Sequence, residues 1–223
     1  MVFELFKGQS GSGLEAIESR INVMLRTSEQ VLRLAVSAFE PDAVAAEVGV
    51  QVRKTDREIN RAERSIRREL VVHVSAHAGA DLPLALVYMS IIKDIERVGD
   101  YAKNIWDVAS VVGDQPARPD LSEVMPLFDR TIGLIAEIAE IYAARDVKRA
   151  TATLKRCDDW LDDYDARVDE LMLSPEPSTE GVPKALLFRH VKRITAHLMN
   201  VLTSVVMPFD RLDYFDEDKI DRD

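Results

Sequence analysis

A chain of 223 residues with 47% hydrophobic and 30% charged side chains is long enough to bury a real core and too apolar to be disordered. Its net charge of −10 argues against a nucleic-acid binder, which needs a concentrated basic surface to displace counterions from phosphate. Nine glycines and nine prolines cluster and leave long runs of Ala, Leu, Glu and Arg between them, so the chain is expected to be all-helical.

The opening stretch, MVFELFKGQSGSG, has too short an apolar run and the wrong charge order for a secretory signal. No window reaches the ~18 consecutive apolar residues of a membrane span. A cytoplasmic location is expected, with membrane contact only through a partner. Leu14, Ile17, Ile21, Met24, Leu25, Val31, Leu32 and Ala35 then recur at three- and four-residue steps, which predicts a first helix from about Leu14 to Ala38.

FEPD marks the next boundary, with Pro41 suited to the first turn of a helix and Asp42 to its positive end. A long second helix follows to about Ala78. Within it, RKTDREINRAERSIRREL (Arg53 to Leu70) is basic but interleaved with acids, and reads as a solvated face laced with ion pairs. His73 and His77, one turn apart after Glu69, suit either a transition metal or the helix-end carbonyls. GADLP closes this helix at Gly79 and opens a third, with Asp81 as N-cap and Pro83 in the first turn.

The third helix, to about Val112, carries DIERVGDYAKNIWD. At ~100° per residue, Glu96, Asp100, Asn104 and Asp107 share one arc, opposite Ile95, Val98, Ala102, Ile105 and Ala109. The acidic stripe is therefore expected to face outward, as a solvated face or as ligands. Carboxylates at i, i+4 such as Glu96 and Asp100 repel each other, a cost that a hard cation removes. Asp56 and Asn60 form a matching pair on the second helix, which runs antiparallel beside the third.

GDQPARPD (Gly113 to Asp120) reads as a linker, after which the plan repeats. A fourth helix is predicted from about Leu121 to Ala144 with Pro126 early, a fifth from about Asp146 to Leu173, and a sixth from Lys184 to Val206 after the break SPEPSTEGVP. Residues 207–223 form an acidic tail whose aromatics, Phe209, Tyr214 and Phe215, are available to pack on a bundle. Two triplets of long helices with short connections predict two tandem antiparallel three-helix bundles, an elongated all-α architecture. The lone Cys157, beside Asp158 and Asp159, reads as a small buried hydrophobe.

DIERVGDYAKNI, preceded by the Asp-xxx-Asn of the second helix, resembles the signature of the PhoU family, the accessory and regulatory proteins of bacterial phosphate uptake. The resemblance extends over nearly the whole chain and implies a first PhoU-like repeat at 14–112 and a second, degenerate one at 121–206. Glu96, Arg97, Gly99, Asp100, Asn104 and Ile105 stand where the family has them, whereas DLP replaces the DLR common before the third helix. Members are associated with iron or zinc ions at surface acidic motifs. The resemblance thus implies Asp56, Asn60, Glu96 and Asp100 as metal ligands, with Asp94 a lesser candidate because its angle leans toward the apolar side.

The second repeat departs from the pattern. Arg193, His197, Asn200 and Val201 match, but Lys192 and Ala196 stand where acidic ligands are expected, so no family-type cluster is expected there. Lys192 is expected to pair with Asp158 or Asp162 instead. The implied function is a non-enzymatic regulator that binds a phosphate transporter's ATPase subunit, a sensor histidine kinase, or both, with a homodimer open. A partner of a sodium- or proton-coupled phosphate permease is the alternative of the same fold. A carboxylate-bridged di-iron oxidase fits poorly, because Glu69 and His73 are four residues apart rather than three.

Overall fold

The structure, a computed structural model, describes residues 12–77, 81–115, 117–216 and 219. Six helices dominate these: α1 (Ser12–Ser37), α2 (Ala45–Ala76), α3 (Leu82–Gly113), α4 (Met125–Ala144), α5 (Val147–Leu173) and α6 (Ser178–Val206), followed by two 3-10 turns at Phe209–Arg211 and Tyr214–Asp216. At 1.5 Å per residue the helices are about 30 to 48 Å long. Residues 1–11 of the opening stretch and Gly79, predicted to close α2, lie outside the described residues.

α1, α2 and α3 pack on one another, and α4 and α5 pack on α6. The two bundles are themselves joined, α3 lying along α6 and α1 along α4. A single apolar core runs through both, with Tyr88, Phe128 and Tyr164 among its largest buried side chains. α2 and α5 are left as the outer helices, which is why their sequences are the more amphipathic and polar.

Three boundaries differ from the sequence reading. α2 begins at Ala45, not at Pro41, because residues 38–43 close successive turns and Phe39 stacks on Phe128 of α4, with ring centroids 5.7 Å apart. α4 begins at Met125. Leu121 and Val124 are buried in the turn before it, where Val124 N–H donates to Leu121 O at 2.9 Å. α6 begins six residues early at Ser178 and takes Pro183 into its second turn. There the absent N–H releases only the carbonyl of the exposed Thr179, which water can satisfy. Asp146 does cap α5, accepting from Arg149 N–H at 3.0 Å.

The tail packs in part. Leu212 is buried and Phe215 lies against the core, while Phe209 stays exposed.

Candidate functional site: the acidic groove and the inter-bundle seam

α2 packs closely against α3 at Gly99, which carries no side chain. A Cβ on Gly99 would lie 3.2 Å from both Asp56 Oδ1 and Ile59 Cδ1. This close approach brings Asp56 against the turn of α3 that holds Asp100 and Lys103. Lys103 Nζ lies 3.0 Å from Asp56 Oδ2 and 2.9 Å from Asp100 Oδ1, bridging the two helices. Asn60 Nδ2 donates to Asp56 Oδ2 at 3.2 Å, and Arg97 Nη1 donates to Asp100 at 3.4 Å. Burial works against the Lys103 ammonium, but its hydrogen bonds to Asp100 and Asp56 outweigh that and raise its pKa above the usual lysine value.

The acidic stripe does not face outward as a whole. Asp56 is 5% exposed, Glu96 8% and Asp94 9%, while Asp100 is half-buried and Asn104 and Asp107 are exposed. The periodicity argument assumed one apolar face for α3. In the fold α3 has α1, α2 and α6 around it, and three neighbours cover most of its girth. Glu96 is held by Lys93, whose Nζ is 2.7 Å from Oε2.

In this structure these residues are paired with cations of the protein itself. Among the described residues no three His, Cys, Asp or Glu side chains converge on a common point. The carboxylates of Asp56 and Asp100 share an internal cation, Lys103, and Glu96 has its own, Lys93. One atom stands apart: Asp56 Oδ1 is buried and has no hydrogen-bond partner among the described residues.

Asp94 belongs to a different place. It points across to α6, where His197 Nδ1 lies 2.9 Å from its Oδ1 and Asn200 Nδ2 donates to the same oxygen at 3.3 Å. It is an anchor between the bundles, facing α6 rather than the α2–α3 groove. Tyr101, two turns on, sits between two rings of α6, its centroid 5.8 Å from His190 and 5.7 Å from His197. Arg193 Nε donates to the Tyr101 hydroxyl at 3.3 Å. His190 has its pKa lowered by burial, with Asp107 partly offsetting the effect, and its Nδ1 is buried without a partner among the described residues. Glu18 of α1 makes a second tie between bundles, accepting from both Tyr88 of α3 and Arg145 at the α4–α5 turn.

Sequence reasoning missed this polar seam. Its one signal was the angle of Asp94, which leaned toward the apolar side. His197 and Asn200 had been noted only as matches to the repeat.

The second bundle holds its charges differently from expectation. Lys192 pairs with Asp165, while Asp158 and Asp162 are taken by Lys219 from the tail. Lys219 thus occupies the acidic pair that was expected to hold Lys192. Cys157 is fully buried and burial pushes its thiol up to about 12, which removes it as a nucleophile. His73 is paired within the protein as well. Its Nε2 lies 2.7 Å from Asp81 Oδ2, both side chains being buried, so Asp81 ties the ends of α2 and α3 together instead of capping α3 with its side chain. His77 Nδ1 lies 2.8 Å from His73 O, the helix-end role.

With this geometry in place, the chain can be compared with known proteins. The PhoU domain family model matches residues 21–109, the span of α1–α3. A phosphate-specific transport system accessory protein PhoU homolog of Deinococcus radiodurans is 27% identical over 189 residues, 82% of this chain and 87% of the relative. The PhoU accessory protein of Escherichia coli is 25% identical over 200 residues, 87% of this chain and 82% of the relative. Two crystal structures share the fold. PhoU from Pseudomonas aeruginosa has a TM-score of 0.76 at 24% identity and covers 87% of this chain and 95% of its own. The phosphate transport system regulatory protein PhoU from Streptococcus pneumoniae has a TM-score of 0.69 at 18% identity, covering 91% and 97%. Residues 21–109 match the PhoU domain, and over most of its length the chain is similar to PhoU accessory proteins.

Proposed function

We propose that this protein is a non-enzymatic regulator of phosphate uptake and phosphate-starvation signalling, acting in the cytoplasm as an adaptor. The observation that carries this reading is the reach of the similarity. It spans 82% of the chain against a relative named as a phosphate transport accessory protein, and so takes in both bundles rather than the matched domain alone. On this reading residues 14–112 and 121–206 are tandem repeats of one unit, the second degenerate. Its partners are the transporter's ATPase subunit, a sensor histidine kinase, or both. Long helices tied by a polar seam give an adaptor two rigid faces in fixed relation.

The test is co-purification from the source organism with tagged ATPase subunit and tagged histidine kinase, each in turn. Retention by at least one is the expected outcome. Retention by neither, with both baits intact and the protein folded, contradicts the reading.

A second reading keeps iron or zinc at Asp56, Asn60, Glu96 and Asp100, and the orphaned, buried Asp56 Oδ1 is the observation that favours it. For a cation to take that oxygen together with Asp100, the Lys103 ammonium has to leave, since two positive charges would otherwise share the pocket. Metal content of the purified protein, by elemental mass spectrometry, decides between the internal and the external cation. Iron or zinc retained by the wild type and lost in Glu96→Ala/Asp100→Ala supports the metal. A metal-free wild type alongside a metal-binding Lys103→Met variant assigns the place to Lys103.

A further inference from the structure

α2 packs on α1 and α3 and turns its remaining face to solvent. That face carries Arg53, Arg57, Arg61, Arg64 and Arg68, all exposed, at steps of three and four residues. At ~100° per residue the five fall within an arc of about 80° and form one straight row about 22 Å long. No acidic residue of the helix falls inside the arc between the first arginine and the last. Of the acids interleaved in the sequence, Asp56 turns to Lys103, Glu63 to Arg67 at 2.9 Å and Glu69 to Arg20 of α1, while Glu58 is exposed about 60° outside the arc.

The ion-pair lacing expected from the sequence is therefore absent from this row. Arg53 lies over the Trp106 ring, 4.5 Å from its centroid, while Arg57, Arg61, Arg64 and Arg68 have no ion pair or hydrogen bond among the described residues. Five aligned, like-charged guanidinium groups on a protein of net charge −10 are an unrelieved repulsion. Within the same arc the row ends in exposed valines, Val50 at 56% before it and Val71 at 60% after it, with Val72 beside the latter at 67%.

We propose that this row seats α2 along an anionic phospholipid surface. Guanidinium forks match phosphodiester oxygens and attract them without releasing a proton. Basic residues gather at an anionic leaflet, and apolar side chains flanking them sink to the boundary between headgroups and acyl chains. A straight row on a rigid helix meets a flat surface along its whole length. The excess acidic charge lies elsewhere on the molecule, and a screening length of about 8 Å at physiological salt keeps most of it from opposing contact. The sequence reading had allowed membrane contact only through a partner. This row gives the chain a contact of its own, with no helix among the described residues long and apolar enough to cross a membrane.

The test is co-sedimentation of the full chain with vesicles of phosphatidylcholine alone and of phosphatidylcholine mixed with phosphatidylglycerol. Binding to the mixed vesicles at low salt, its loss at high salt and no binding to the neutral ones are expected. Arg57→Gln/Arg61→Gln/Arg64→Gln, with the helical signal of the wild type, is expected to weaken binding about tenfold or more. Val71→Ser/Val72→Ser is expected to weaken it while leaving the salt dependence in place. Failure of the wild type to sediment with the mixed vesicles overturns the proposal and leaves the row to an acidic protein face. Unchanged binding by the arginine variant overturns it as well.

Discussion

At Gly49 the α2 backbone meets the ring of Trp106. A Cβ there would lie 2.2 Å from Cζ2, and the ring is pinned by its indole N–H donating to Ala45 O at 2.7 Å and by Arg53 stacked above it. A methyl group has nowhere to go, so Gly49→Ala is expected to cost about 1–3 kcal/mol in urea unfolding, although alanine is the better helix former. Lys103 poses the opposite problem, removal rather than addition. Its side chain is 31% exposed but Asp56, its partner, is only 7% exposed, so Lys103→Met strands a buried carboxylate. The expected loss is about 2–4 kcal/mol, and Asp56→Asn in the same background should return part of it. If Lys103→Met unfolds like the wild type, the bridge does not stabilise the groove.

At the scale of elements, periodicity located all six helices because each presents an apolar stripe to its bundle. α3 shows where it stopped. Its stripe was read from one face, yet neighbours on three sides bury Glu96 and Asp94 as well, and no pattern within one helix announces a second bundle lying against it. The start of α6 was missed for a related reason: Pro183 reads as a breaker, but in the second turn it forfeits a single bond to an exposed carbonyl. The pairing of Lys192 was missed because it depends on where Lys219 of the tail comes to rest.

The α3–α6 seam carries its own prediction. Burial lowers the His190 pKa from the usual value near 6.5, with Asp107 partly offsetting this, so the folded state binds this proton less readily than the unfolded chain. The associated stability is fully present above pH 6.5 and is lost as pH falls from there through the folded pKa. Thermal melts are expected to shift downward over that window, and His190→Gln should flatten the shift. Equal pH dependence in the variant would place the titration elsewhere. Asp94→Ala removes the acceptor shared by His197 and Asn200 and should cost about 2–3 kcal/mol, read by urea unfolding.

For the whole molecule, the two-bundle plan was legible in the two triplets of helices, and the family in a short run of α3. The docking of the bundles was not legible, since it rests on pairs about a hundred residues apart, such as Asp94 with His197 and Glu18 with Arg145. That docking turns two bundles into one rigid body, with a groove between α2 and α3 and an arginine row along α2. On the proposed function such a body works by being bound, and its absence is expected to leave transport and signalling unrestrained.

The most direct measurement of that claim is a phosphate-starvation reporter in the source organism, grown in phosphate-rich medium with the gene deleted. The account predicts a reporter switched on despite ample phosphate and silenced again by the wild-type gene supplied in trans. A reporter that stays silent in the deletion strain, and responds normally when phosphate is withdrawn, would contradict it.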